Sequence, residues 1–120
     1  MTKQKTLKAN DLTYIDLFAG CGGLSLGLEK AGFFPLYVNE LNKDALETYL
    51  INRDGEFPHL RDKFYSQDIK GVISNKEFFK TLFKDLKKEF NRDFKKDSVD
   101  VVAGGPPCQG FSGIGIRRSY

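Results

Sequence analysis

Four short apolar runs alternate with three stretches of helical period, and this alternation limits the chain more than any other feature. The runs are Tyr14-Ile15-Asp16-Leu17-Phe18, Leu36-Tyr37-Val38-Asn39, Phe64-Tyr65, and Val101-Val102 after Asp100. Between the first two, Leu24, Leu28 and Ala31 recur at spacings of four and three, as one helix face does. Gly32 stands where a helix C-cap glycine belongs. Gly27 lies inside that helix at a cost in propensity, which close packing of helix on sheet would explain. Asn42 can cap a second helix carrying Ala45, Leu46, Tyr49 and Leu50 on one side. Arg53 to Asp62, with Gly55, Pro58 and its charges, reads as a loop. Ser74 and Glu77 have capping-box spacing and open a third helix with Phe79, Phe83, Leu86 and Phe90 along one stripe. Strict alternation of strand and helix predicts an α/β fold with a doubly wound, mostly parallel sheet. Residues 1–12 are polar and aperiodic, and are expected to be a flexible tail before a domain over 13–120.

The 120 residues allow one domain at most. No apolar run approaches the ~20 residues of a membrane span, and no apolar stretch follows Met1-Thr2-Lys3-Gln4-Lys5, so a cytoplasmic protein is expected. Two cysteines, Cys21 and Cys108, are too few for a disulfide framework. With one histidine, His59, no metal site of the Cys/His type is expected. The net charge of +3 does not argue for nucleic acid, because residues 76–97, with eight basic and five acidic side chains, carry all of it. That segment is the third helix, whose charges suit a solvated face.

Open α/β sheets bind ligands outside the carboxyl ends of their strands. Every unusual residue of this chain falls at such an end: Gly20 to Gly23 after the first strand, Glu40 after the second, Asp68 after the third, and Pro106 to Cys108 after the fourth. Glycines between strand and helix expose backbone N–H groups at a positive helix end. An acid about 20 residues further on, here Glu40, suits a pair of ribose hydroxyls. A nucleoside-containing cofactor is the expectation. The pattern is not a dinucleotide fingerprint, since Ser25 stands where its third glycine should be, and no P-loop lysine follows.

The fourth end is the most specific. Val101 and Val102 suit a strand covered on both faces. Gly104 and Gly105 permit a tight turn or close approach, and Pro106 and Pro107 stiffen the backbone before Cys108. A thiol at such a corner is poorly suited to core filling and well suited to act as a nucleophile.

The run Gly104 to Ser112 resembles the Pro-Cys loop of the C5-cytosine DNA methyltransferases. Asp16-Leu17-Phe18-Ala19-Gly20-Cys21-Gly22-Gly23 is similar to that family's first signature, Asn39-Glu40 to its second and Asp68-Ile69 to its third, in order and spacing from Tyr14 to Ser112. The resemblance implies a Rossmann-like fold that binds S-adenosylmethionine (SAM). It implies that Phe18, Ala19, Gly20, Cys21, Gly22 and Gly23 flank the cofactor, that Glu40 holds its ribose, that Asp68 and Ile69 sit by its adenine, and that Pro107 lines the site near the methyl donor. Leu41 stands where many members carry an aromatic residue, so its contact with the adenine would be aliphatic. Cys108 becomes the nucleophile that attacks C6 of a cytosine flipped out of double-stranded DNA. Gln109 and Ser112 would touch DNA beside the extruded base. Arg117 and Arg118 fit either phosphate contacts or an ordinary exposed basic turn.

By the same resemblance the chain ends inside the mobile catalytic loop, before the glutamate that assists at cytosine N3 and the target-recognition region. It is expected to be the front of a longer enzyme, or one part of a split one, and inactive by itself. A restriction-modification system is the setting the family implies. Two other readings stay open: a non-catalytic module that binds SAM or a partner chain, and a nucleotide-dependent oxidoreductase.

Overall fold

The computed structural model describes residues 3–95 and 98–104. Along the chain lie β1 (Thr13–Asp16), α1 (Gly23–Lys30), β2 (Phe34–Asn39), α2 (Lys43–Ile51), α3 (His59–Asp62), β3 (Tyr65–Ser66), α4 (Lys70–Ile73), α5 (Phe78–Phe90) and β4 (Val101–Ala103). Among the described residues the sheet has four strands in the order β3-β2-β1-β4. Every pairing is parallel, so all four carboxyl ends open on one rim. The order reverses at β1: the chain moves from it to β2 and β3, then returns to its other side for β4. That reversal is the place where open α/β sheets form a ligand crevice. The fold is α/β and Rossmann-like.

All residues of β1 and β2 are buried, which is why both read as nearly continuous apolar runs. β2 begins at Phe34, two residues ahead of the expected Leu36. Pro35 hid that start. It cannot donate to a ladder, and its register position, opposite Tyr14, is where β1 and β2 slip by one residue. β1 stops at Asp16, before Leu17 and Phe18, because Phe18 turns into the left-handed region at φ 55°.

Helix ends follow the sequence in two places. Asn42 Oδ1 accepts from the Ala45 N–H at 2.9 Å, and α1 closes with Gly32 at φ 99° and paired bonds from Gly32 N to Glu29 O and Phe33 N to Leu28 O. They depart from it in a third. Ser74 is the C-cap of α4. Asn75, not Ser74, precedes α5 with an Asx turn, its Oδ1 accepting from Glu77 N at 2.9 Å. The buried face of α5 is accordingly Leu82 and Leu86, with Phe78, Phe83 and Phe90 packed beside them and Phe79 42% exposed.

Three further expectations fail on packing. Leu24 is 65% exposed, and α1 turns Ser25 inward instead. A Cβ on Gly27 would meet nothing within 4 Å, so close helix-on-sheet packing does not account for that glycine. Val102 is 59% exposed, on a strand that is the sheet's edge among the described residues. The segment 53–62 is not a solvated loop either: it buries Arg53, Phe57, His59 and Leu60 and makes the short helix α3. Residues 3–12 carry neither helix nor strand, yet Lys5 N donates to Glu56 O at 2.8 Å and Leu7 packs against the core. No helix among the described residues is long and apolar enough to cross a membrane.

Candidate cofactor site

Backbone hydrogen bonds tie the four strand tips into one rim. Leu17 N donates to Ala103 O at 2.9 Å, Ala19 N to Asn39 O at 3.0 Å, and Glu40 N to Ser66 O at 3.0 Å. Gly20 N donates to Glu40 Oε1 at 2.8 Å, and Asn42 N donates to Glu40 Oε2 at 2.8 Å. The glycine loop and the acid at the tip of β2, 20 residues apart in sequence, are therefore in direct contact. Both carboxylate oxygens are oriented by N–H donors, and each keeps a lone pair for a further donor.

The loop itself is shaped by backbone that ordinary residues avoid. Phe18, Gly20 and Gly22 have φ of 55°, 62° and 95°. Phe18 is half-buried, and its strained backbone is of the kind found at ligand clamps. Cys21 is exposed, with a free thiol. At Gly104 a Cβ would lie 1.7 Å from Leu17 O. The close approach at this glycine is thus to the chain's own backbone, which lets β4 leave the sheet hard against β1.

On the β3 side, Leu41 is 70% exposed and its carbonyl accepts from Gln67 Nε2 at 3.2 Å. Asp68 is exposed and its Oδ1 accepts from Lys70 N at 2.9 Å, while Ile69 is half-buried against the core. The rim thus gathers Phe18, Ala19, Gly20, Cys21, Gly22, Gly23, Glu40, Leu41, Asp68 and Ile69. Pro107, Cys108, Gln109, Ser112, Arg117 and Arg118 lie outside the described residues.

Beneath the rim are two buried acceptors, Asp16 Oδ2 and Asn39 Oδ1, that find no hydrogen-bond partner among the described residues. Burial pushes the Asp16 carboxyl upward, while the Ser25 and Tyr49 hydroxyls and the Arg53 charge oppose that shift.

Sequence reasoning missed the group that supports the loop from below. Arg53 Nη2 donates to Gly22 O at 3.2 Å and to Ser25 Oγ at 2.9 Å. Its Nε donates to Glu29 Oε2 at 2.7 Å, and Nη1 to Tyr49 O at 3.1 Å. The guanidinium lies 3.7 Å over the Tyr49 ring, and Tyr14 Oη donates to Glu29. Ser25, which broke the dinucleotide fingerprint, is polar because it completes this network. A signal for Arg53 was present: it follows Tyr49 by four residues and so continues the buried face of α2. A cavity of about 420 Å³ lies at the opposite end of the strands, among Lys5, Lys8, Glu29, Gly32 and Phe34, and includes none of the rim residues.

A parallel sheet with a glycine loop and an acid meeting at its switch point defines a Rossmann-like α/β domain. A model of the C-5 cytosine-specific DNA methylases matches residues 12–120, and the chain belongs to that family. It is 41% identical over 110 residues to the type II methyltransferase M1.HphI of Haemophilus parahaemolyticus, covering 91% of this chain and 24% of that protein. Against the type II methyltransferase M.AgeI of Thalassovita gelatinovora it is 39% identical over 104 residues, covering 87% of this chain and 20% of that protein. A solved E. coli structure described as a prophage-encoded DNA modification methyltransferase superposes with a TM-score of 0.53 at 34% identity, covering 83% of this chain and 24% of that one. The chain thus spans a quarter or less of the length of these relatives.

Proposed function

We propose that this chain is the cofactor-binding and nucleophile-bearing part of a DNA (cytosine-5-)-methyltransferase of a restriction-modification system, which uses SAM and acts on double-stranded DNA. The carrying observation is the hydrogen bond from Gly20 N to Glu40 Oε1, which joins two of the family's signatures at the carboxyl edge of the sheet. It lies one strand away from β4, which runs toward Cys108.

In this reading Glu40 accepts from the ribose hydroxyls with its free lone pairs. The glycine loop gives the methionine end backbone N–H groups at the positive start of α1. Asp68 and Ile69 flank the adenine, with Leu41 as an aliphatic neighbour, and Pro107 lines the methyl end. When bound, SAM supplies an electrophilic methyl group on a sulfonium. Cys108 attacks C6 of the flipped cytosine as a thiolate, and the displaced π electrons make C5 nucleophilic enough to take the methyl group. A base then removes the C5 proton, the C5–C6 double bond reforms, and the Cys108 thiolate leaves. A free thiol with a pKa of ~8.5 is mostly protonated at neutral pH, so the site must favour its ionised form. Gln109 and Ser112 contact DNA beside the extruded base, and Arg117 and Arg118 meet phosphates.

The test is covalent trapping on duplex DNA containing 5-fluorocytosine, with SAM, using the full-length protein that contains this chain. The fluorine blocks the final elimination. A denaturation-resistant adduct that disappears in Cys108→Ser is expected. A folded, SAM-binding protein that yields no adduct on mixed-sequence DNA would replace this reading with a non-catalytic SAM-binding module.

A further inference from the structure

We infer that Arg53 is a positioning residue of the cofactor site, holding the start of α1 in the shape that presents its backbone to SAM. The inference rests on the cofactor reading above. It goes beyond that reading by assigning a function to a buried cation outside the four signatures.

Gly22 is the N-cap of α1, and among the described residues no side chain caps the helix. The N–H groups of its first turn are thereby left for a ligand. The opposite side of the same turn is held firmly. Gly22 O accepts from Arg53 Nη2 at 3.2 Å, from Ser25 Oγ at 3.2 Å and from Leu26 N at 2.9 Å. With its carbonyl fixed inward, the peptide between Gly22 and Gly23 must turn its N–H outward, because the peptide unit is planar.

The fit around Gly22 is tight. A Cβ on Gly22 would lie 2.7 Å from Arg53 Nη1 and 2.8 Å from Tyr49 Cδ2. The Arg53 and Glu29 side chains are 4% and 8% exposed, and their pairing keeps the charge compensated. One guanidinium reaches Gly22, Ser25, Glu29 and Tyr49 together from the end of α2. Lysine has the charge but not the fork, and cannot hold these four partners at once.

The experiment uses full-length protein and its Arg53→Lys, Glu29→Gln and Leu86→Ala variants, the last a core truncation on α5 outside the network. SAM affinity is measured by titration calorimetry, at a temperature where circular dichroism reports each variant folded. KM for SAM and kcat are measured alongside. Arg53→Lys is expected to raise Kd and KM for SAM at least tenfold with kcat at saturating SAM within about twofold, and Glu29→Gln to raise Kd about threefold. Leu86→Ala is expected to lower the melting temperature without changing Kd. Equal Kd values for Arg53→Lys and Leu86→Ala would reduce Arg53 to a structural residue and overturn the inference. Should Arg53→Lys not fold, an unchanged Kd in the isosteric Glu29→Gln overturns it equally. A wild type that binds no SAM sinks the cofactor reading itself, and this inference with it.

Discussion

The Gly20 amide and the Glu40 carboxylate meet at 2.8 Å, and this contact joins the glycine loop to the tip of β2. Hydrogen bonds to a charged acceptor contribute roughly 1.5–3 kcal/mol. Glu40→Ala is therefore expected to weaken SAM binding about 10- to 100-fold. Glu40→Gln, which keeps one carbonyl oxygen, should lose less. Titration calorimetry on both variants checks the order, and equal affinities for wild type and Glu40→Ala would remove Glu40 from the site.

Two glycines should respond to alanine in opposite directions. Gly104, at φ 127°, has Leu17 O 1.7 Å from the position of an added Cβ. Gly104→Ala should destabilise by on the order of 2–4 kcal/mol and separate β4 from β1. Gly27 has open space around it in α1, so Gly27→Ala should stabilise by about 0.5–1 kcal/mol. Urea unfolding midpoints report both changes.

His59 makes stability depend on pH. It is 3% exposed, stacks on Phe34 at 5.4 Å, and its Nε2 donates to Pro35 O at 2.7 Å. Burial lowers its pKa from 6.5 to about 4, against a smaller opposing effect of the Pro35 bond. Between pH 6.5 and about 4 the unfolded chain thus binds the proton and the folded chain does not. The stability is present in full above pH 6.5 and is lost on acidification across that window, on the order of 3 kcal/mol. Asp16, pushed upward by burial, acts in the opposite direction. The comparison is therefore between wild type and His59→Gln, whose melting temperatures should converge as the pH falls from 7 to 4.

Leu41 is 70% exposed beside Glu40. Leu41→Trp would offer the adenine a stacking surface, and such contacts contribute about 0.5–1.5 kcal/mol beyond area burial. SAM binding should tighten roughly three- to tenfold. A Kd equal to wild type would mean that the adenine lies elsewhere.

The parallel sheet and the position of the rim were legible because they depend on local signals: apolar runs, a capping Asn42, a C-cap Gly32, and special residues at strand tips. Misreadings arose where a long-range partner decided the outcome. Leu24 looked buried by periodicity, but Ser25 takes the inward position because Arg53 and Asp16 lie there. Arg53 looked like a loop charge because its counter-ion, Glu29, comes from another helix. The second strand looked to begin at Leu36, but it starts at Phe34, with Pro35 at a one-residue slip. Ser74 had the spacing of a cap, but Asn75 stood closer to the turn that needed one.

The two sides of the rim close over very different sequence separations. β1 pairs with β2 across about 20 residues, Tyr14 opposite Pro35, whereas it pairs with β4 across 87, Tyr14 opposite Val101. Thr13 N and Asp100 Oδ2, 2.8 Å apart, span the same 87 residues. At a synthesis rate of about 5–20 residues per second, β1 waits several seconds for its second neighbour. The glycine loop and Glu40 can meet during that wait, while one edge of a fully buried strand stands open to other chains. The strand leading to the cysteine is the one that closes that edge. During synthesis the residues of the cofactor's side of the site are thus all present before those of the thiol's.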